Sequence, residues 1–176
     1  ARAVDAGYAL LSEGASALEA VVAAVHVMED EPCFNAGRGA ALTLDGRAEM
    51  DSCVMLGDGS SGAACGLTTA RHPVDVARAV MERTPHVLFS SPSKERLEEW
   101  GVEQVDPSYF VTEQREAQLA EFKELEAARQ TSAEAQARAQ AAEEARHGTV
   151  GAVARDARGL IAAATSTGGI TGQQPG

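Results

Sequence analysis

The sequence predicts a mixed α/β fold. Three local patterns carry that reading. Ser16-Ala17-Leu18-Glu19 is a capping box, with serine at the N-cap and glutamate three residues on, and it opens an apolar-striped helix. Asp45-Gly46 lies between two short runs that read as strands, the signature of a tight hairpin. Asp156-Ala157-Arg158-Gly159 separates two further runs rich in alanine and β-branched residues. Helical and hairpin signals therefore alternate along one chain.

In order, Val4 to Leu11 reads as a helix that stops near Glu13-Gly14. The capped helix runs from Ala17 to Met28, with Leu18, Val21, Val22, Val25 and Met28 on one face. Pro32, Gly37 and Gly39 make "EDEPCFNAGRG" a loop. "AALTL" and "RAEMDSCVML" form the predicted hairpin, and "AACGLTT" a further strand. Pro73 opens a helix that ends near Arg83, a short strand covers His86 to Phe89, and Ser91-Pro92 starts a helix that Gly101 ends. The segment 113–147 has high helix propensity, yet beyond Leu119, Phe122 and Leu125 its apolar residues are alanines. Without an apolar stripe it reads as a solvated, frayed helix or a flexible linker. Val150 to Ala154 and Leu160 to Ala164 form the last hairpin.

Composition narrows the function classes. The chain has 176 residues, 44% hydrophobic and 23% charged, with only 4% aromatic, so alanine, valine and leucine must fill most of a single-domain core. A net charge of −11 argues against nucleic acid or an anionic membrane as partner. No apolar run approaches the roughly 20 residues that span a bilayer. Cys33, Cys53 and Cys65 form no CxxC pair and read as small buried thiols in a reducing, cytoplasmic setting. His26 and His86 have no partner at metal spacing and read as structural, and Glu49 and Asp51 as one polar strand face. Gly37, Gly39, Gly168 and Gly169 form no phosphate loop, since GxxxxGK[ST] is absent.

The seam "HGTVG" stands apart. An Ala/Glu/Gln/Arg tract ends at His147, and Thr149 stands at the mouth of a strand. A threonine hydroxyl becomes a competent nucleophile when a base adjoins it, and its own α-amine is one such base. A free α-amine has a pKa of about 7.7–8.0, close to working pH. That base exists only if the chain is cut between Gly148 and Thr149. Glycine suits a crowded scissile bond, and a flexible tract lets the new end depart. A Gly-Thr pair before an ordinary strand remains the alternative, with His147 merely flanking it.

Read together, "FNAGRGAALTLDGRAEMDSCVM", "ARHPVDVARAVMERTPHVL" and "HGTVGAVARDARGLIAAATSTGGITGQQPG" resemble the plant-type L-asparaginase/isoaspartyl peptidase family, a branch of the N-terminal-nucleophile hydrolases. The resemblance covers the chain except for 113–146. It implies a four-layer αββα sandwich, incomplete here at both ends. It also implies a self-cleaving precursor in which 1–148 is most of an α subunit and 149–176 the start of a β subunit, together part of one domain. Gly148–Thr149 would be the cleavage site, Thr149 the nucleophile and Thr167 an assisting hydroxyl, with Asn35, Thr165 and Thr171 in support. Backbone carbonyls of Met28, Glu29, Glu31, Phe34, Ala36 and Arg38 would hold a structural sodium ion; catalysis would need no cofactor. The family's substrate-anchoring arginine and aspartate and its oxyanion Thr-Gly pair would follow Gly176.

The implied activity is hydrolysis of L-asparagine to aspartate and ammonia, and cleavage of β-aspartyl dipeptides. The implied partners are a small amino-acid or dipeptide substrate and, for the assembly, a dimer of αβ units. A glycosylasparaginase-type amidase is the alternative among enzymes. A non-catalytic module with 108–147 as a helical partner-binding arm is the alternative outside them.

Overall fold

Helix α2 (Ala17–Glu29) begins where its capping box requires. The Ser16 hydroxyl accepts from Glu19 N–H, and the Glu19 carboxylate accepts from Ser16 N–H at 2.8 Å. The computed structural model describes residues 1–129 and 148–175. Its helices are α1 (Arg2–Ser12), α2, α3 (Pro73–Arg83), α4 (Lys94–Glu99) and α5 (Glu113–Arg129). Its strands are β1 (Met50–Leu56), β2 (Ser61–Leu67), β3 (Leu88–Ser90), β4 (Val150–Arg155) and β5 (Ile161–Thr167).

The strands form one five-stranded sheet in the order β3-β2-β1-β5-β4, antiparallel except for the parallel β2–β3 pair. Strand alternation gives the sheet two unlike faces. Val54, Val150, Ala162 and Ala164 point to α2 and α3 and join Leu18, Val21, Val25, Val74 and Ala77 in one buried cluster. A second cluster joins Met50, Ala64 and Leu67 to Val76, Val80, Leu97, Trp100 and Phe110. The other face is open: Met55, Val153 and Ile161 are 52%, 76% and 49% exposed.

Several expectations change in the folded chain. Gly46 adopts the left-handed φ of 83° that the Asp45-Gly46 turn needs, but "AALTL" contributes only a bridge from Leu42 to Ala48. Both edges of β1 are already paired, with β2 and β5. Residues 42 and 44 therefore bond instead to the chain after β5, through Gly172 N–H to Leu42 O and Leu44 N–H to Gln173 O. Helix α4 begins at Lys94, because the Ser93 hydroxyl supplies the N-cap. The short strand is shifted to Leu88–Ser90.

The thiols are not buried. Cys53 lies on the open side of β1 and Cys33 in a loop, both exposed, and Cys65 is half-buried. The first part of the 113–147 tract is also not solvated throughout. Leu119 of α5 is buried, and Phe122 packs against the same cluster. Two well-placed apolar residues suffice to dock a helix whose other faces are polar. The remainder of that tract, with His147, lies outside the described residues. Among the described residues, no helix is long and apolar enough to cross a membrane.

Candidate active site

The site forms where the loop after α2 meets the end of β5. Gly168 makes the meeting possible: a Cβ there would stand 2.5 Å from the Ala40 Cβ, so a side chain would push the two segments apart. Gly168 N–H donates to Asn35 O at 3.2 Å.

Asn35, buried, is held by fixed backbone partners. Its Oδ1 accepts from Ala41 N–H at 2.7 Å, and its Nδ2 donates to Gly169 O at 2.7 Å and Gly148 O at 3.0 Å. These partners leave only one orientation of the amide.

The hydroxyls can be ordered in the same way. Gly169 N–H donates to Thr167 Oγ1 at 3.2 Å, and Gly148 O, 3.0 Å from that oxygen, can only accept. Thr167 therefore spends its single proton on Gly148 O. Thr149 Oγ1, 3.2 Å away, must donate to Thr167. The result is a directed chain from Thr149 O–H to Thr167 O–H to the Gly148 carbonyl, whose oxygen also receives the Asn35 amide. Two donors converge on the carbonyl that immediately precedes Thr149, the arrangement that stabilises negative charge on a carbonyl oxygen.

Gly148, Thr149, Thr167 and Asn35 are thus brought together. Thr171 is buried in the loop after β5 and lines the same cavity. Thr165 is exposed on the open face, opposite Cys53 on β1 and Gly151 on β4. The cavity, about 550 Å³, is lined by Cys33, Asn35, Thr149 and, from α5, Arg115, Gln118 and Phe122. The sequence reading missed that wall. Arg115 Nε donates to Gly39 O, which fastens α5 over the site loop, and Nη1 donates to Gln118 Oε1 within α5. Burial pulls the Arg115 pKa down. Nothing local in the sequence announces the contact, since Arg115 and Gly39 are far apart along the chain.

The loop that would carry sodium turns tightly. Glu29 O accepts from Arg38 N–H at 2.7 Å, Met28 O from Glu31 N–H at 3.3 Å, and Glu31 O from Phe34 N–H at 3.1 Å. Phe34 and Arg38 are exposed and Ala36 is buried. His26 does have metal-spaced partners, contrary to expectation. Its ring lies with Glu29 and His72, ligating atoms within 4.8 Å of one another. Only His26 and Glu29, one helical turn apart, were close in sequence.

A helix-backed sheet thus sets the Thr149 hydroxyl, through Thr167, beside the carbonyl that precedes it. The family model for asparaginase matches residues 1–176, and the chain belongs to that family. It is 45% identical to the isoaspartyl peptidase of Salmonella typhimurium over 98% of this chain and 55% of that protein. The isoaspartyl peptidase of Escherichia coli is 42% identical, over 98% of this chain and 53% of that one. The isoaspartyl peptidase/L-asparaginase of Homo sapiens is 38% identical, over 99% and 54%. The chain spans about half the length of the curated relatives it matches.

Proposed function

We propose that this chain belongs to a self-cleaving amidohydrolase that acts on L-asparagine and on β-aspartyl dipeptides through Thr149. The observation that carries the reading is the hydrogen-bonded chain Thr149–Thr167–Gly148 O, with Asn35 as second donor. The names of the relatives supply the substrate class.

In the first stage Thr149 Oγ attacks the Gly148 carbonyl carbon. Its proton passes to Thr167 Oγ as Thr167 gives its own to the Gly148 oxygen, and the Asn35 amide holds the negative charge that develops there as the proton arrives. Collapse of the tetrahedral species breaks the C–N bond, the nitrogen takes the proton, and an ester links Gly148 to Thr149 Oγ. Water hydrolyses that ester and leaves Gly148 with a carboxylate and Thr149 with a free α-amine. In the second stage that amine is the base. Thr149 Oγ attacks the side-chain amide carbon of asparagine, or the isopeptide carbonyl of a β-aspartyl dipeptide. Ammonia or an amino acid departs with a proton, and water releases aspartate from the ester. Thr167 is positioned to hold the nucleophile oxygen in both stages.

The wider architecture is part of the same proposal. The open apolar sheet face and the greater length of the relatives support a four-layer αββα sandwich, in which a second sheet covers Met55, Val153 and Ile161. On this reading the cut leaves α and β subunits, and αβ units pair as dimers. The carbonyls of Met28, Glu29, Glu31, Phe34, Ala36 and Arg38 are proposed to hold a structural sodium. Left-handed Gly37 and Gly39 curl the loop, and the carbonyls of Met28, Glu29 and Glu31 each keep a second lone pair beyond their backbone bond. The docking of Leu119 and Phe122 favours α5 as a wall of the site over a free partner-binding arm.

The test is hydrolysis of L-asparagine and a β-aspartyl dipeptide by the processed protein. Turnover of both is expected; activity on neither, after complete processing at Thr149, would overturn the substrate assignment.

A further inference from the structure

Away from the cavity, the last turn of α2 and the first turn of α3 bring together a set of donors that the reaction does not use. His26 and Glu29 stand one turn apart on α2, and His72 is the N-cap residue of α3. One ligating atom from each lies within 4.8 Å of the other two. We propose that His26, Glu29 and His72 form a binding site for one zinc-class divalent cation that ties α2 to α3.

The inner pair is already spaced for an ion. Ligands of a tetrahedral ion at about 2.0–2.2 Å stand about 3.3–3.6 Å from one another, and His72 Nδ1 is hydrogen-bonded to Glu29 Oε2 at 3.2 Å, a spacing that one ion can take over. The third donor, within 4.8 Å of both, must close to ligand spacing. His26 is the side chain with room to do so, being 33% exposed where His72 is 11% and Glu29 0%. Its ring now lies face to face with that of His72, centroids 4.1 Å apart, and rotation about Cβ–Cγ turns a lone pair inward.

The surroundings suit a cation. Val74 N–H holds Glu29 Oε1 at 3.1 Å, and Oε2 faces the His72 ring, whose hydrogen bond the ion would replace. Asp30 Oδ1 lies 3.8 Å from His72 Nε2 and Asp75 Oδ1 lies 2.8 Å from His26 Nε2, so each imidazole has an outer carboxylate to orient it. Two imidazoles and one carboxylate select zinc, cobalt or nickel over magnesium and calcium, which prefer all-oxygen shells. These donors are side chains, distinct from the carbonyls assigned to sodium.

The experiment uses the whole protein, stripped with a chelator. Zinc is titrated by calorimetry and cobalt by visible absorption. The wild type is expected to bind one equivalent at micromolar metal, with the intense ligand-field bands of four-coordinate cobalt and a higher Tm. His26→Ala and His72→Ala should each weaken binding at least tenfold and lose both the bands and the Tm shift, while His86→Ala should keep them. Absence of a stoichiometric site in the wild type overturns the proposal even if the variants do not fold. So does unchanged binding in both His26→Ala and His72→Ala. Asparagine and β-aspartyl hydrolysis are read separately, so failure here leaves the catalytic assignment standing.

Discussion

Asn35 Nδ2 donates to the carbonyl oxygen of Gly148 at 3.0 Å, across 113 residues of chain. One amide thereby fixes the bond proposed for cleavage against the loop after α2. Asn35→Ala removes that donor and leaves Thr167 alone on the carbonyl. Cleavage of the precursor is expected to slow by about 10²-fold or more, the scale on which loss of one positioned donor acts. A time course of precursor loss by gel or mass spectrometry measures it; an unchanged rate would assign Asn35 to packing alone.

Thr167 Oγ1 touches Thr149, Gly148 O and Gly169 N–H together. Thr167→Val keeps the shape and deletes every one of those bonds. In material that has completed processing, kcat should fall by about 10²-fold with KM little changed, since the lost hydroxyl acts on the reacting oxygen. Single-turnover hydrolysis of a β-aspartyl dipeptide separates this from slow processing.

Leu119 is the anchor of α5, buried in the cluster with Phe110 and Leu97. Leu119→Ala should cost about 2–5 kcal/mol by denaturant titration. It should also loosen the wall that Arg115 and Phe122 give the cavity. Shortening 130–146 while keeping the residues before Gly148 is expected to leave β-aspartyl hydrolysis intact, measured beside the wild type.

His26 supplies a pH signature in the metal-free protein. Burial opposes its charge, but the bond to Asp75, with Glu29 and Asp30 nearby, outweighs it and raises the pKa. A raised folded pKa stabilises the fold fully below the unfolded value, and that stability is lost as pH rises through the folded value. Asp75→Asn should lower the His26 midpoint in an NMR titration and flatten this part of the stability profile.

Local signals made much of the fold legible. The Ser16–Glu19 box, Pro73 and the Asp156–Gly159 turn placed the ends of the elements beside them within a residue or so, because each is a short-range hydrogen-bond or φ requirement, while β5 runs on to Thr167. The pairing of β1 on both edges was not legible, and it displaced the hairpin expected around Asp45-Gly46. The site divides in the same way. Thr149 and Thr167 could be named from the seam and from "TSTGG". The contacts of Arg115 with Gly39 and of His26 with His72 arise from tertiary approach of distant segments. The exposure of Cys53 follows from which face of β1 meets the helices, a choice that alternation alone does not make.

The proposed chemistry begins with the cut before Thr149. The most direct measurement is N-terminal sequencing and intact mass of the purified whole protein beside its Thr149→Ala variant. The expected wild type shows a chain beginning Thr-Val-Gly-Ala, and the variant stays in one piece. A wild type that is fully active while uncleaved would contradict the account, because the α-amine base would never have formed.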